Sequence, residues 1–169
     1  MKFSDFIDLH RGFDLPKKRR IPGNVPIVAS TGINGMHNVS KVNAPGVITG
    51  RSGSIGEVIY IDKDFWPLNT TLYVSDFKGN NPKYVAYWLK QFNLGKFASG
   101  SAVPTLNRNI LSNLEILVPS RKEQDKIVKF IDPIEKKIDL NNQINDNLVE
   151  LANTIFANQI SKDTTQLSN

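Results

Sequence analysis

The sequence predicts an α+β chain: a mixed α/β domain of short strands over residues 1–119, a long helical, coiled-coil arm over 120–160, and a tail over 161–169. Three observations carry that prediction. Ile127, Ile131, Ile134, Ile138, Leu148, Ala152 and Ile155 recur at steps of three or four wherever the pattern is filled, which is helical spacing. Short apolar runs such as Val47-Ile48-Thr49 and Val58-Ile59-Tyr60-Ile61 are separated by glycine-rich turns, as strands are. Asn81-Pro82 opens a segment in which Tyr84, Val85, Trp88, Leu89 and Phe92 share one face.

Taken in order, residues 3–9 form a short helix or strand against the core. Residues 10–24 are polar and basic and close on Pro22-Gly23-Asn24, a turn signal. Residues 25–29 are a short strand. Residues 31–38 hold two glycines and two asparagines and are read as a loop. Val47-Ile48-Thr49 is a buried strand, followed by a turn at Gly50-Arg51-Ser52-Gly53-Ser54-Ile55-Gly56 and a strand over 57–61. Residues 65–69 are a loop and 70–74 a strand. After the helix that starts at Asn81-Pro82, residues 95–105 are small and polar. Residues 107–113 form a helical turn, and 114–118 a strand that feeds Pro119.

In the arm, Ser120 and Glu123 make a capping box, which can satisfy two orphan N–H groups at a helix start. A second signal interrupts the run: Asp132 as N-cap, Pro133 at the first helical position and Glu135 after it. The pattern predicts a short helix, a bend, then a long helix from Pro133 to about Ile160. At 1.5 Å per residue that helix is about 40 Å long. A small domain has little core to lay beside such a stripe, so the helix is built to dock elsewhere. Asn141 and Asn145 fall in its seam, and Leu140, Ile144 and Leu151 broaden it. A seam asparagine costs stability but fixes register and partner number. The plain alternative is a solvated stretch. The tail after Ser161 is polar and expected to be mobile.

The 40% hydrophobic fraction suffices for one core and excludes wholesale disorder. No apolar run is long enough to span a membrane, and the N-terminus lacks a signal-peptide layout. With no cysteine, disulfides and thiolate metal sites are excluded. A cytoplasmic protein fits these features. The net charge of +5 and pI of about 9.4 suit a polyanionic partner. The excess lies toward the N-terminus, in Arg11 and in Lys17-Lys18-Arg19-Arg20. Four basic residues can be a solvated loop or can contact phosphates.

Gly50–Gly56 is neither a P-loop nor a dinucleotide fingerprint, because it lacks their endings and a strand follows it. It is a tight turn. Such a turn also lets backbone approach a phosphate, with Arg51, Ser52 and Ser54 as donors. His10 and His37 sit in expected loops without metal-ligand spacing. No nucleophile elbow or carboxylate pair stands out, so the chain points to binding rather than catalysis. The segment from Ser99 to Arg108 is a loop capping the following helix, and Thr105, Asn107 and Arg108 could meet sugar-phosphate.

Read in order, VITGRSGSIGEVIYI, FWPLNTTLYV, YVAYWLK, SGSAVPTLNRNILSNLEILVPSRKEQDKIVKFIDPIEKKID and LVELANTIF closely resemble one target-recognition domain plus one conserved helical region of the specificity subunit of type I restriction–modification systems. The resemblance runs from about Val25 to Phe156. It implies a non-catalytic DNA-reading subunit without a cofactor of its own. S-adenosylmethionine would belong to a methyltransferase partner and ATP to a restriction partner. The helical region would space two recognition domains and dock the methyltransferase. This chain departs in carrying a single set, so it is read as a half subunit. Two copies would pair through Ile134, Ile138, Asn141, Asn145, Leu148, Ala152 and Ile155 as an antiparallel coiled coil on an interrupted palindrome. A half of a longer product, the recognition segment of a fused restriction–methylation enzyme, a DNA-binding module outside restriction, and an enzyme with a phosphate-handling loop remain open.

Motifs shared by a family whose members read different sequences cannot specify bases. The resemblance therefore gives residues 50–56 and 101–108 scaffold or phosphate roles. Base readout is expected from residues 10–24, 31–41 and 76–81. Lys17, Lys18, Arg19 and Arg20 come first, and His37 and Asn38 second. Arginine and lysine suit guanine, and asparagine suits adenine.

Overall fold

The computed structural model describes residues 1–99 and 104–166. In chain order, α1 (Phe3–Phe6) and β1 (Asp8–Arg11) are followed by a 3-10 turn at Lys17–Arg19. Next come β2 (Val25–Ala29), β3 (Gly32–His37), β4 (Gly46–Gly50), β5 (Val58–Ile61), β6 (Trp66–Pro67) and β7 (Thr71–Asp76). Then follow α2 (Pro82–Gln91), β8 (Ala98–Ser99), β9 (Thr105–Leu106), α3 (Arg108–Ser112) and α4 (Arg121–Gln166). The chain divides into two compact units, Met1–Lys126 and a second that begins at Ile127.

Besides a two-stranded antiparallel pair of β8 with β9, the first unit is built on two larger sheets. One has the order β1-β7-β4-β5 and is antiparallel throughout. The other has the order β3-β2-β6, with β6 parallel to β2. Successive side chains of a strand point to opposite faces, and β2 is buried on both. Val28 packs with Ile48, Ile61 and Phe65, while Ile27 packs with Leu15 and Trp66. A third group is aromatic: Phe6 meets Trp88 edge-on at 5.1 Å between ring centres, and Trp88 stacks on Phe92 at 4.4 Å.

α2 forms where the sequence places it. The Asn81 side chain accepts from the N–H groups of Lys83 and Tyr84, and Pro82 opens the helix. Its apolar face buries Tyr84, Val85 and Leu89. The turn after β4 is equally specified. A Cβ at Gly50 would lie 1.9 Å from the Ser54 carbonyl oxygen, so only glycine fits.

Four expectations are corrected. Residues 31–38 are not a loop. Residues 32–37 form β3, paired along β2 from Val25–His37 to Ala29–Gly32, with a bulge where Gly35 (φ +100°) takes a conformation costly for other residues. Pairing with a buried strand outweighs the low strand propensity of glycine and asparagine. Within 65–69, Trp66–Pro67 is a short strand, because Trp66 lies beside Ile27 and the Leu68 N–H reaches the Val28 carbonyl at 2.8 Å. Residues 114–118 join no sheet. They run beside the N-terminus through one bridge, Lys2 to Glu115, with Phe3 N–H on the Leu114 carbonyl and Ile116 N–H on the Met1 carbonyl.

The fourth correction concerns the arm. α4 is one continuous helix of 46 residues across Asp132-Pro133, where two separate helices were expected, and it runs past Ile160 to Gln166. Pro133 deprives the Lys129 carbonyl of its intrahelical donor, at a cost of about 3 kcal/mol. Both residues are exposed, so water can satisfy that carbonyl. Asp132 does not cap; it pairs with Lys136 at 3.1 Å, one turn on. Helix continuing on both sides outweighs a local stop signal.

Candidate nucleic-acid interface

Arg11, Arg51, Thr105, Asn107 and Arg108, distant in sequence, line one cleft of about 370 Å³. Backbone grips set them there. The Arg51 N–H donates to the Thr70 carbonyl and its own carbonyl accepts from Leu106 N–H, both at 2.8 Å. Ser52 bridges to Thr105, which ties the glycine turn to β9. Arg11 ends β1 and Arg108 opens α3, where Asn107 caps the helix by accepting from Asn109 N–H. Arg108 Nη1 donates to the Leu9 carbonyl at 3.0 Å, and Arg11 Nε to the Asn69 carbonyl at 3.4 Å. None of the three arginines joins an ion pair among the described residues. Three guanidiniums without a carboxylate leave a field suited to phosphate. Residues 101–103, part of the expected contact loop, lie outside the described residues. Ser54 lines a separate cleft with Ser30, Thr31 and Glu57.

The second basic group is split. Lys17, Lys18 and Arg19 are exposed. Arg20 turns inward, and its Nη1 donates to both the main-chain oxygen (2.6 Å) and Oδ1 (3.0 Å) of Asn34. Asn38 is exposed, beside Gly23, whose missing Cβ would strike its backbone. His37 is not in a surface loop. It ends β3 at 5% exposure, meets Trp66 edge-on, and its Nδ1 accepts from Ile21 N–H at 3.1 Å. Its ring holds the 20–24 turn against β3 and does not face solvent.

Residues 76–81 make several internal contacts. Lys78 pairs with Asp8 at 2.6 Å and with Asp76 at 3.1 Å. Hydrogen bonds from the Lys78 backbone and side chain hold Asp76 below the usual carboxylate range. Asn80 and Asn81 receive the first turn of α4. Gln124, fully buried, accepts from Asn81 N–H at 2.9 Å and donates to Asn80 Oδ1 and the Pro119 carbonyl. Arg121 adds a bond to the Gly79 carbonyl. No sequence signal marked Gln124, because a lone glutamine in a charged helical turn reads as solvated.

In the second unit, Ile134, Ile138, Leu148 and Ile155 are each 50–60% exposed, and Asn141, Asn145 and Ala152 are exposed with them. Among the described residues no cluster could hold a metal, and no helix is long and apolar enough to cross a membrane.

A small α+β unit with an unpaired arginine cleft, in a chain whose long helix shows an uncovered apolar stripe, has the make-up of a DNA-recognition module. Residues 1–150 match the type I restriction modification DNA specificity domain, and the chain belongs to that family. Members of this family are the non-catalytic DNA-recognition components of type I systems. Over 53 residues the chain is 36% identical to the type I restriction enzyme HindI specificity subunit of Haemophilus influenzae, covering 31% of this chain and 12% of that protein. The S subunit of a type I restriction-modification system from M. genitalium has a similar structure: TM-score 0.70, 20% identity, over 82% of this chain and 39% of that one. The HsdS subunit of Thermoanaerobacter tengcongensis is similar at TM-score 0.60 and 14% identity, over 83% of this chain and 38% of that one. These identities speak for the fold. The chain spans about two-fifths of those structures.

Proposed function

We propose that the chain reads double-stranded DNA for a type I restriction–modification complex and directs methyltransferase and restriction subunits to a split target site. Residues 1–119 would do the reading and 120–160 the docking. The observation that carries this is the cleft of Arg11, Arg51 and Arg108, whose guanidiniums have no carboxylate partner among the described residues. The arginines would hold phosphates, and Ser52, Thr105 and Asn107 would support them.

The apolar stripe supports pairing with a second helix of the same kind, from a second copy or from a second repeat of a longer subunit. Charge favours an antiparallel pair. Residues 138–160 hold Asp139, Asp146 and Glu150 and no lysine or arginine, while Lys126, Lys129, Lys136 and Lys137 cluster before them. Antiparallel pairing brings these halves together. A homodimer of this kind would favour an interrupted palindrome.

Fluorescence anisotropy on duplex DNA tests the reading. Arg51→Ala should weaken binding to all sequences alike and reduce the salt slope by about one. Wild-type chain that binds no duplex would overturn the function. Altered sequence choice in Arg51→Ala would overturn the phosphate role alone. Sedimentation showing a monomer at micromolar concentration would sink the homodimer.

A further inference from the structure

β3 is an edge strand, and its outer residues are unexpectedly apolar. Ile33 is 63% exposed and Met36 49%. They lie opposite Val28 and Pro26, which share one face of β2, so the bulge keeps both on that face. An exposed apolar edge is a liability unless something covers it. Immediately before Arg20 stand Lys17, Lys18 and Arg19, exposed and without a described ion pair. That charge matches a phosphate backbone, and the exposed edge strand beside it is the part of this sheet open to a DNA groove.

Between Ile33 and Met36 sits Asn34. Arg20 has only donors, so the Asn34 atom 3.0 Å from Nη1 must be the carboxamide oxygen. The orientation of the amide is thereby fixed. Asn34 Nδ2 is left with no partner among the described residues, and so is Arg20 Nη2. Free asparagine reads adenine with one acceptor and one donor, and here one lone pair of the acceptor is engaged by the Arg20 guanidinium that lies against it. The groups of the pair left without partners, Asn34 Nδ2 and Arg20 Nη2, are both donors. Guanine presents two major-groove acceptors, O6 and N7, whereas adenine would set its N6 donor against them.

We infer that Asn34, positioned by Arg20, reads a guanine in the major groove. This rests on the DNA-reading function proposed above.

The test is selection of duplexes from a randomised library by the full chain, with 7-deazaguanine then placed at each guanine of the selected motif. Wild type should lose about tenfold at one guanine when its N7 is removed. Asn34→Ala should lose preference at that position alone and ignore the deaza substitution there. Arg20→Lys keeps the charge but not the fork, and should relax the same position. No motif from wild type would overturn the DNA-reading function itself. A motif in which no guanine responds to 7-deaza substitution, or Asn34→Ala weakening all positions equally, would overturn the assignment of Asn34 and leave that function standing.

Discussion

Gln124 Oε1 accepts the main-chain N–H of Asn81 at 2.9 Å, so one buried side chain joins the first turn of α4 to the cap of α2. The Asn81 side chain completes the joint: Oδ1 caps α2 while Nδ2 donates to Asp125 at 2.7 Å. Gln124→Leu should destabilise the chain by about 1–3 kcal/mol, since it leaves the half-buried Asn81 N–H, Asn80 Oδ1 and Pro119 carbonyl without their partner. Urea unfolding checks this. A change within about 0.5 kcal/mol, as for ordinary surface sites, would count against the joint.

The start of α4 should also be acid-sensitive. The side-chain hydrogen bond from Ser120 holds Glu123 below its usual range, and the Asn81 side chain does the same for Asp125, with Arg121 helping. A carboxyl depressed in the folded state stabilises it above the unfolded value, and the contribution is lost as pH falls through the folded value. Both groups are exposed, so the effect belongs to the helix start and not to global unfolding. An NMR titration should show both carboxyls shifted down in wild type, and Glu123 alone relaxed in Ser120→Ala.

Pro133→Ala restores the donor that the Lys129 carbonyl lacks. It should stabilise α4 by up to about 3 kcal/mol and slow amide exchange around that turn. A helix truly interrupted there would gain little, and unchanged exchange would show it.

Gly50→Ala should cost about 1–3 kcal/mol, because the new methyl meets the Ser54 carbonyl and the turn must move. Thermal unfolding measures the loss. Since Arg51 hangs on the same turn, DNA affinity should fall with it.

Asn141→Leu or Asn145→Leu should tighten self-association in sedimentation while permitting more than one register in crosslinking. Unchanged association would place these residues outside the seam.

The elements fixed by local chemistry were legible in the sequence. Asn81-Pro82 announced α2, and Gly50 announced its turn. The arginine cleft was half legible: its members were named, but it takes long-range contacts such as Ser52 with Thr105, Leu106 N–H on the Arg51 carbonyl and Arg108 on the Leu9 carbonyl to bring them together. What was missed depends on partners far along the chain. β3 exists because β2 is beside it, His37 is buried because Trp66 and Ile21 enclose it, and Gln124 matters because Asn81 is there. The Pro133 stop signal was real but local, and a long helix can absorb it where the orphan carbonyl faces water.

The joint at Gln124 also bears on how such a chain can change over generations. Its hydrogen bonds stay within residues 79–81 and 119–125, and none reaches residues 17–39. The face of Arg20 and Asn34 can therefore drift, residue by residue, without unsettling the fixture that holds both helices. Under the proposed function, new sequence preferences would arise by substitution in one hairpin while the helix joint is inherited intact.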